Sequence, residues 1–154
     1  MDRQIKVPSL EESIAFASLK HEGQLDKMRQ PYILHPLRVM LMLLTFVERT
    51  VGVLHDVLED TDTTEEELRN RGYPIVIVNA IISVTKIPGE SYEDFVRRAA
   101  KNPIGMNVKK ADILDNISPI RGYNMEPAKR DRLKNKYTKA LEILRELELK
   151  VENN

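Results

Sequence analysis

The sequence predicts an all-α helical bundle, and three observations predict it. Opening and closing signals alternate at helix-length intervals. Ser9 with Glu12, Thr63 with Glu66, and Ser91 open segments, while Gly23, Gly72, Pro88-Gly89, Asn102-Pro103 and Gly122 close them. Apolar residues near the C-terminus recur at helical spacing. One segment only, residues 74–86, is rich in β-branched residues, and the chain offers it no good strand to pair with.

The elements follow in order. The Ser9/Glu12 capping box starts a helix over residues 10–21, and Gly23 stops it. Residues 23–34 (GQLDKMRQPYIL) lack periodicity and read as a loop. Pro36 suits the first position of a second helix, which makes His35 its N-cap and carries the helix to Leu44. A third helix covers residues 48–58. Thr63 and Glu66 open a short fourth one, closed by Gly72. Residues 74–86 (PIVIVNAIISVTK) are too long and too irregular in alternation for a strand, and read as a buried helix. Ser91 caps a helix to Lys101, and another runs over 104–117 until Pro119 and Gly122 end it. The last helix spans 126–149, with Leu133, Tyr137, Ala140, Leu144 and Leu147 as its apolar stripe.

Composition excludes several kinds of chemistry. At 154 residues the chain fits one domain over 1–154 and has the size to bury a real core. It has no Cys, which excludes disulfides, thiolate metal sites and a Cys nucleophile, and fits a reducing, cytoplasmic setting. Lys+Arg and Asp+Glu each total 24, so there is no basic surplus for general nucleic-acid binding. Residues 1–9 are polar and carry no targeting signal, and no apolar run approaches the ~20 residues of a membrane helix. There is no Gly-rich phosphate loop and no G-x-S-x-G elbow. With three His in all, any His-based chemistry falls to His21, His35 or His55.

The densest segment is VLHDVLEDT at residues 53–61. On one continuous helix, His55 would stack on Glu59 and Asp56 on Asp60. Three acids beside Val53, Leu54, Val57 and Leu58 are costly unless a cation compensates them. A sulfur-free donor set suits Mn, Fe, Mg or Zn. A ring of His35, His55, Asp56 and Asp112 would complete a site with open positions for water, with Glu59 and Asp60 just beyond to orient or deprotonate that water. Spacing alone leaves blander readings open: a packed or capping His35, a solvated Asp112, and an acidic helix start at 59–67 (EDTDTTEEE).

Five segments taken together resemble one family. KHEGQ (20–24), PYILHPLRV (31–39), VLHDVLEDT (53–61), SVTK (83–86) and KKADILDN (109–116) stand in the order and spacing of the HD-type hydrolase domain of RelA/SpoT-type alarmone enzymes. The resemblance covers residues 15–116. Because a synthetase domain does not fit in 154 residues, the chain is most similar to stand-alone small alarmone hydrolases. The resemblance implies an all-α HD-domain helical bundle and Mn²⁺, or another divalent cation, on His35, His55, Asp56 and Asp112. It implies Glu59 and Asp60 as the catalytic acidic pair. The implied reaction removes the 3′-pyrophosphate of guanosine 3′,5′-bis(diphosphate), and the implied partner is this small nucleotide rather than nucleic acid or membrane. Family positions that meet the nucleotide fall on Lys27, Lys86, Asn116 and Tyr137. Tyr137 reads equally well as part of the apolar stripe.

The chain also departs from the family pattern. Asp26-Lys27 stands where the family has Arg-Lys, Arg29 replaces a loop glycine, and ADILDN replaces ADR-x-H-N, with Ile113 for Arg and Asp115 for His. A carboxylate at 26 would repel phosphate. These departures keep three alternatives in play: an HD phosphohydrolase of another nucleotide such as NADPH, an inactive nucleotide sensor, and a helical module whose last helix packs on a partner.

Overall fold

A computed structural model describes residues 6–153; the first five residues of the polar N-terminal stretch lie outside the described residues. Helices α1 (Leu10–Lys20), α2 (Leu34–Leu41), α3 (Phe46–Leu54), α4 (Val57–Asp60) and α5 (Glu65–Asn70) form the first half. Helices α6 (Ile75–Ser83), α7 (Tyr92–Ala99), α8 (Pro103–Ile117) and α9 (Pro127–Glu152) follow, with a 3-10 turn at Pro119–Arg121. Among the described residues the only strand-like pairing is one isolated bridge, Leu25 with Pro31.

The capping chemistry accounts for most boundaries. Ser9 and Glu12 form the reciprocal capping box expected of them, and Thr45 with Glu48 forms a second one. Ser91 accepts from the Asp94 amide, and Asn102 accepts from the Ile104 and Gly105 amides ahead of Pro103. Residues 75–83 are helical despite their β-branched content. Ile77, Val78, Ala80 and Ile81 of this helix are buried in the main core, and that tertiary burial overrides local propensity.

Three expectations need correction. His35 is not the N-cap: Ile33 is, and α2 starts at Leu34, two residues before Pro36, after a turn in which the Leu34 amide donates to the Pro31 carbonyl. Pro36 then occupies the third helical position, where its missing N–H still costs nothing. The fourth helix is capped by Thr64 with the Glu67 amide, while Thr63 is buried and shares a hydroxyl contact of 2.7 Å with Thr61. The helix expected over 48–58 is two, broken at His55-Asp56. There the Gly52 carbonyl takes the His55 ring Nδ1–H at 2.6 Å, and Asp56 sits at φ −102°, ψ −2°.

Helix α3 is the structural centre. Val51, Gly52, Val53 and Leu54 are all buried, and α1, α2, α6 and α8 pack around them. Each of these apolar side chains contributes about 1.5–3 kcal/mol on burial. Gly52 permits the close α2–α3 crossing: a Cβ there would meet Leu43 Cδ1 at 2.6 Å and Met40 Cα at 3.3 Å, and both neighbours would have to give way. A second cluster joins Val96 of α7, Ile113 of α8 and Ala140, Ile143 and Leu144 of α9. Most of the α9 stripe therefore closes the chain's own core: Ala140 and Leu144 lie within this cluster, and Tyr137 and Leu147 pack against it.

Candidate functional site

A helix start, a helix break and a helix middle deliver four side chains to one place. Helix α2 supplies His35, the α3–α4 junction supplies His55 and Asp56, and the middle of α8 supplies Asp112. All four are buried. His35 Nε2 lies 3.1 Å from Asp112 Oδ1 and 3.6 Å from Asp56 Oδ2. His55 Nε2 lies 3.0 Å from Asp56 Oδ2 and 3.6 Å from Asp112 Oδ1. The two imidazoles meet edge to face, with ring centroids 5.1 Å apart.

The other ring nitrogens are already engaged. His35 Nδ1–H donates to Asp115 Oδ2 at 2.6 Å, and His55 Nδ1–H donates to the Gly52 carbonyl at 2.6 Å. Both neutral rings therefore turn an Nε2 lone pair toward carboxylate oxygens, an arrangement that needs a proton or a cation between them. His55 Nε2 is buried without a hydrogen-bond partner. Two imidazoles and two carboxylates at this spacing fit a divalent cation of the Mn, Fe, Mg or Zn kind.

The electrostatics agree with that demand. Burial works against charge on His35, but Asp112 and Asp115 outweigh it and raise its pKa. Burial likewise opposes charge on His55, and Asp56 and Asp112 raise it well above the ordinary range. Burial would push Asp56 and Asp112 up; the imidazoles, and Lys109 for Asp112, hold both carboxyls down instead. The cluster therefore favours positive charge between its imidazoles and carboxylates.

Surrounding groups fix these four side chains in place. Asp115, the residue that departs from the family's His, is held by the Arg38 fork at 2.6 and 3.1 Å while it orients His35. Lys109, buried and 4.1 Å above the Phe95 ring, donates to Asp112 Oδ2 at 2.9 Å. Asn116 Nδ2 donates to Asp112 Oδ1 at 2.8 Å, and the Tyr32 hydroxyl donates to Asp56 Oδ2 at 2.7 Å. Of these, Tyr32, Arg38 and Lys109 carry no sequence signal beyond their place in the quoted motifs. Asp115 lies three residues from Asp112, and that helical spacing is its signal.

Glu59 and Asp60 stand at the exposed edge of the cluster, and their carboxylate oxygens lie with one from Asp56 within 4.8 Å of one another. The Asp56–Asp60 stacking expected from spacing is present, with the Asp60 amide on the Asp56 carbonyl and the Tyr32 hydroxyl reaching both carboxylates. The His55–Glu59 pairing is not. The helix is interrupted between them, and Glu59 Oε1 turns to accept the Lys86 backbone N–H at 2.7 Å. Burial, then the Asp56 and Glu59 charges, push the Asp60 pKa up to about 6.

Of the residues read as nucleotide contacts, Lys27, Asn116 and Tyr137 line one small cavity together with Arg121, Met125 and Leu133. Lys86 lies apart from it and reaches the acidic edge through its backbone. Sequence reasoning missed Arg121 and Tyr92. The Tyr92 hydroxyl is buried without a partner, and its ring packs edge to face on Tyr137 at 5.8 Å. Asp26 faces inward: its Oδ1 accepts the Met28 and Gln30 amides, closing a turn in which Arg29 adopts a φ of 60°. Ile113, where the family has Arg, is fully buried core.

With this geometry in hand, similarity to known proteins is informative. No protein-family profile matches the chain. A guanosine-3′,5′-bis(diphosphate) 3′-pyrophosphohydrolase of Aquifex aeolicus is 34% identical over 133 residues, covering 79% of this chain and 19% of that protein. A GTP pyrophosphokinase of Streptomyces coelicolor is 31% identical over 147 residues, covering 87% of this chain and 17% of that protein. The chain thus spans less than a fifth of the length of these relatives, whose names describe opposite reactions. A solved structure, described as a metazoan ortholog of SpoT that hydrolyses ppGpp, superposes with a TM-score of 0.74 over 96% of this chain and 95% of that one, at 24% identity, and shares its fold. Sequence similarity to long RelA/SpoT-type enzymes, the ordered motifs and the all-α architecture converge: the chain carries a RelA/SpoT-type HD domain.

Proposed function

We propose that this chain is a single-domain, Mn²⁺-dependent nucleotide pyrophosphohydrolase, acting in the cytoplasm on guanosine 3′,5′-bis(diphosphate). The observation that carries this reading is the convergence of both His Nε2 atoms on Asp56 and Asp112, with Glu59 and Asp60 at the open edge. His35, His55, Asp56 and Asp112 would hold a divalent cation, which would supply a water of lowered pKa and neutralise phosphoryl charge.

The chain's own groups do the rest. Glu59, oriented by the Lys86 amide, positions the water and takes its proton, with Asp60 assisting. The water oxygen attacks the phosphorus bonded to O3′, the P–O3′ bond breaks, pyrophosphate leaves, and O3′ takes up a proton. Asn116 and Tyr137 position the nucleoside beside Lys27. Lys27, Lys86 and Lys109 crowd Lys136: desolvation and then these like charges push its ammonium pKa down. A group of cations in mutual repulsion suits a polyphosphate, whose negative charge relieves it.

Asp26 engages Oδ1 in its own loop and turns Oδ2 toward Arg121, so its charge is partnered within the chain. That pairing, and the burial of Ile113 in the core, weaken two departures that spoke for an inactive sensor. The test is hydrolysis by the purified chain with Mn²⁺ across a nucleotide panel that includes guanosine 3′,5′-bis(diphosphate) and NADPH. Release of pyrophosphate from the former is expected. Binding without release, with metal in the site, points to a sensor and overturns this reading.

A further inference from the structure

Arg121 is unusual for a residue on a surface turn between two helices: its side chain is only 14% exposed. Three acceptors draw it inward. Nη1 stands 3.6 Å from Asp26 Oδ2, Nε stands 3.9 Å from Asp115 Oδ2, and Nη2 donates to Asn116 Oδ1 at 3.3 Å. That last bond is long, and the two carboxylates lie beyond hydrogen-bond distance. Nη1 is buried without any hydrogen bond. A guanidinium with five donors is thus held by charge, with most of its hydrogen-bonding capacity unused.

The unused donors face a defined space. Arg121, Asn116, Met125 and Leu133 line both the small cavity that holds Lys27 and Tyr137 and a neighbouring one of about 390 Å³. The larger cavity adds Arg130 and Lys134 from α9. Asn116 bridges this space to the metal cluster, since it donates to Asp112 while accepting from Arg121. Arg121, Arg130 and Lys134 outnumber Asp131, the one carboxylate lining this cavity, and one residue away from the cluster they suit an anionic group of the same ligand that is not the group being hydrolysed.

We infer that Arg121, with Arg130 and Lys134, binds the substrate's second, non-reacting phosphate arm, and that Asp26 is the counter-ion Arg121 leaves to do so. This inference rests on the nucleotide reading above but commits to a different end of the molecule. Asp26 then acts as a competitor for Arg121. Arginine suits the role because its fork grips phosphate oxygens in pairs.

The proposal makes opposite demands on two neighbouring residues. Guanosine 5′-diphosphate, which carries the second arm and no 3′ group, is titrated calorimetrically into the Mn²⁺-loaded full chain, with guanosine as control. Arg121→Gln is expected to weaken the diphosphate by roughly 10- to 100-fold and leave guanosine unchanged. Asp26→Asn is expected to tighten the diphosphate by about threefold or more, and to lose that gain in the double variant. If Arg121→Gln does not fold, Asp26→Asn alone decides by its direction. Equal losses for diphosphate and guanosine, or weaker binding by Asp26→Asn, overturn the proposal. The proposed reaction fails separately: a chain that hydrolyses no nucleotide but discriminates the diphosphate as described keeps this inference and loses that one.

Discussion

Asp115 accepts the Nδ1 proton of His35 at 2.6 Å while the Arg38 fork holds the same carboxylate from the other side. This relationship decides which nitrogen of His35 faces Asp56 and Asp112, so the ligand's tautomer is set from outside the cluster. Asp115→Asn keeps the shape but removes the charge that favours an Nδ1–H donor and pairs with Arg38. Mn²⁺ affinity should fall by about 10- to 100-fold, as for other partners of metal-bound His. Turnover at saturating Mn²⁺ should fall much less. Titration calorimetry with Mn²⁺ reads the first quantity, and an unchanged affinity would assign Asp115 to packing alone.

The same residue marks the limit of what the sequence discloses. The helical bundle was legible from caps and breakers, because Ser9, Ser91 and Asn102-Pro103 act locally. The four cluster residues were legible because the ordered motifs carry them. The role of Asp115 was not, since nothing local states that residue 115 of α8 meets residue 35 of α2. The part Asp26 plays in its loop was hidden for a similar reason. Its type shows a charge, but not that Oδ1 accepts the Met28 and Gln30 amides while Oδ2 faces Arg121. The break at His55-Asp56 escaped periodicity, because a side chain competes there for the Gly52 carbonyl, and hydrophobic pattern does not record such competition.

Glu59 offers a cleaner separation of chemistry from binding. It lies at the exposed edge, outside the His and Asp ring, and its Oε1 is tied to the Lys86 amide. Glu59→Gln should leave Mn²⁺ affinity within a few-fold while reducing kcat by about 10²- to 10⁴-fold, the range for removal of a general base. His55→Ala should lose metal and turnover together. Comparing the two by metal analysis and steady-state kinetics tests the division of labour. A Glu59→Gln protein that loses its metal would move Glu59 into the ligand set.

Gly52 links the core to the site. A Cβ on it meets the tip of the Leu43 side chain, which must shift, and presses on Met40 Cα at 3.3 Å, so Gly52→Ala crowds the α2–α3 crossing. Overpacking of this kind costs about 1–3 kcal/mol. The displaced carbonyl is also the one that holds His55 Nδ1, so the damage reaches the cluster. The expected result is a lower melting temperature together with weakened Mn²⁺ binding. Destabilisation with metal affinity intact would show that the crossing and the cluster adjust independently.

Protons and metal compete for the same nitrogens, and stability should record this with opposite slopes. In the metal-free chain the raised pKa values of His35 and His55 contribute stability that is fully present below their unfolded value of about 6.5 and is lost as pH rises through the folded values. The depressed Asp56 and Asp112 contribute stability above about 3.9 that is lost as pH falls through their folded values. The metal-free chain should therefore be most stable between these limits and weaken on the alkaline side. With Mn²⁺ the trend reverses, because rising pH removes the competing protons and tightens the metal, which adds about 2.7 kcal/mol at a hundredfold excess over Kd. Thermal melts at pH 6 and pH 8, with chelator and with Mn²⁺, should show a metal-induced rise in Tm that is larger at pH 8. Equal shifts at the two pH values would mean that metal binding displaces no protons from His35 and His55.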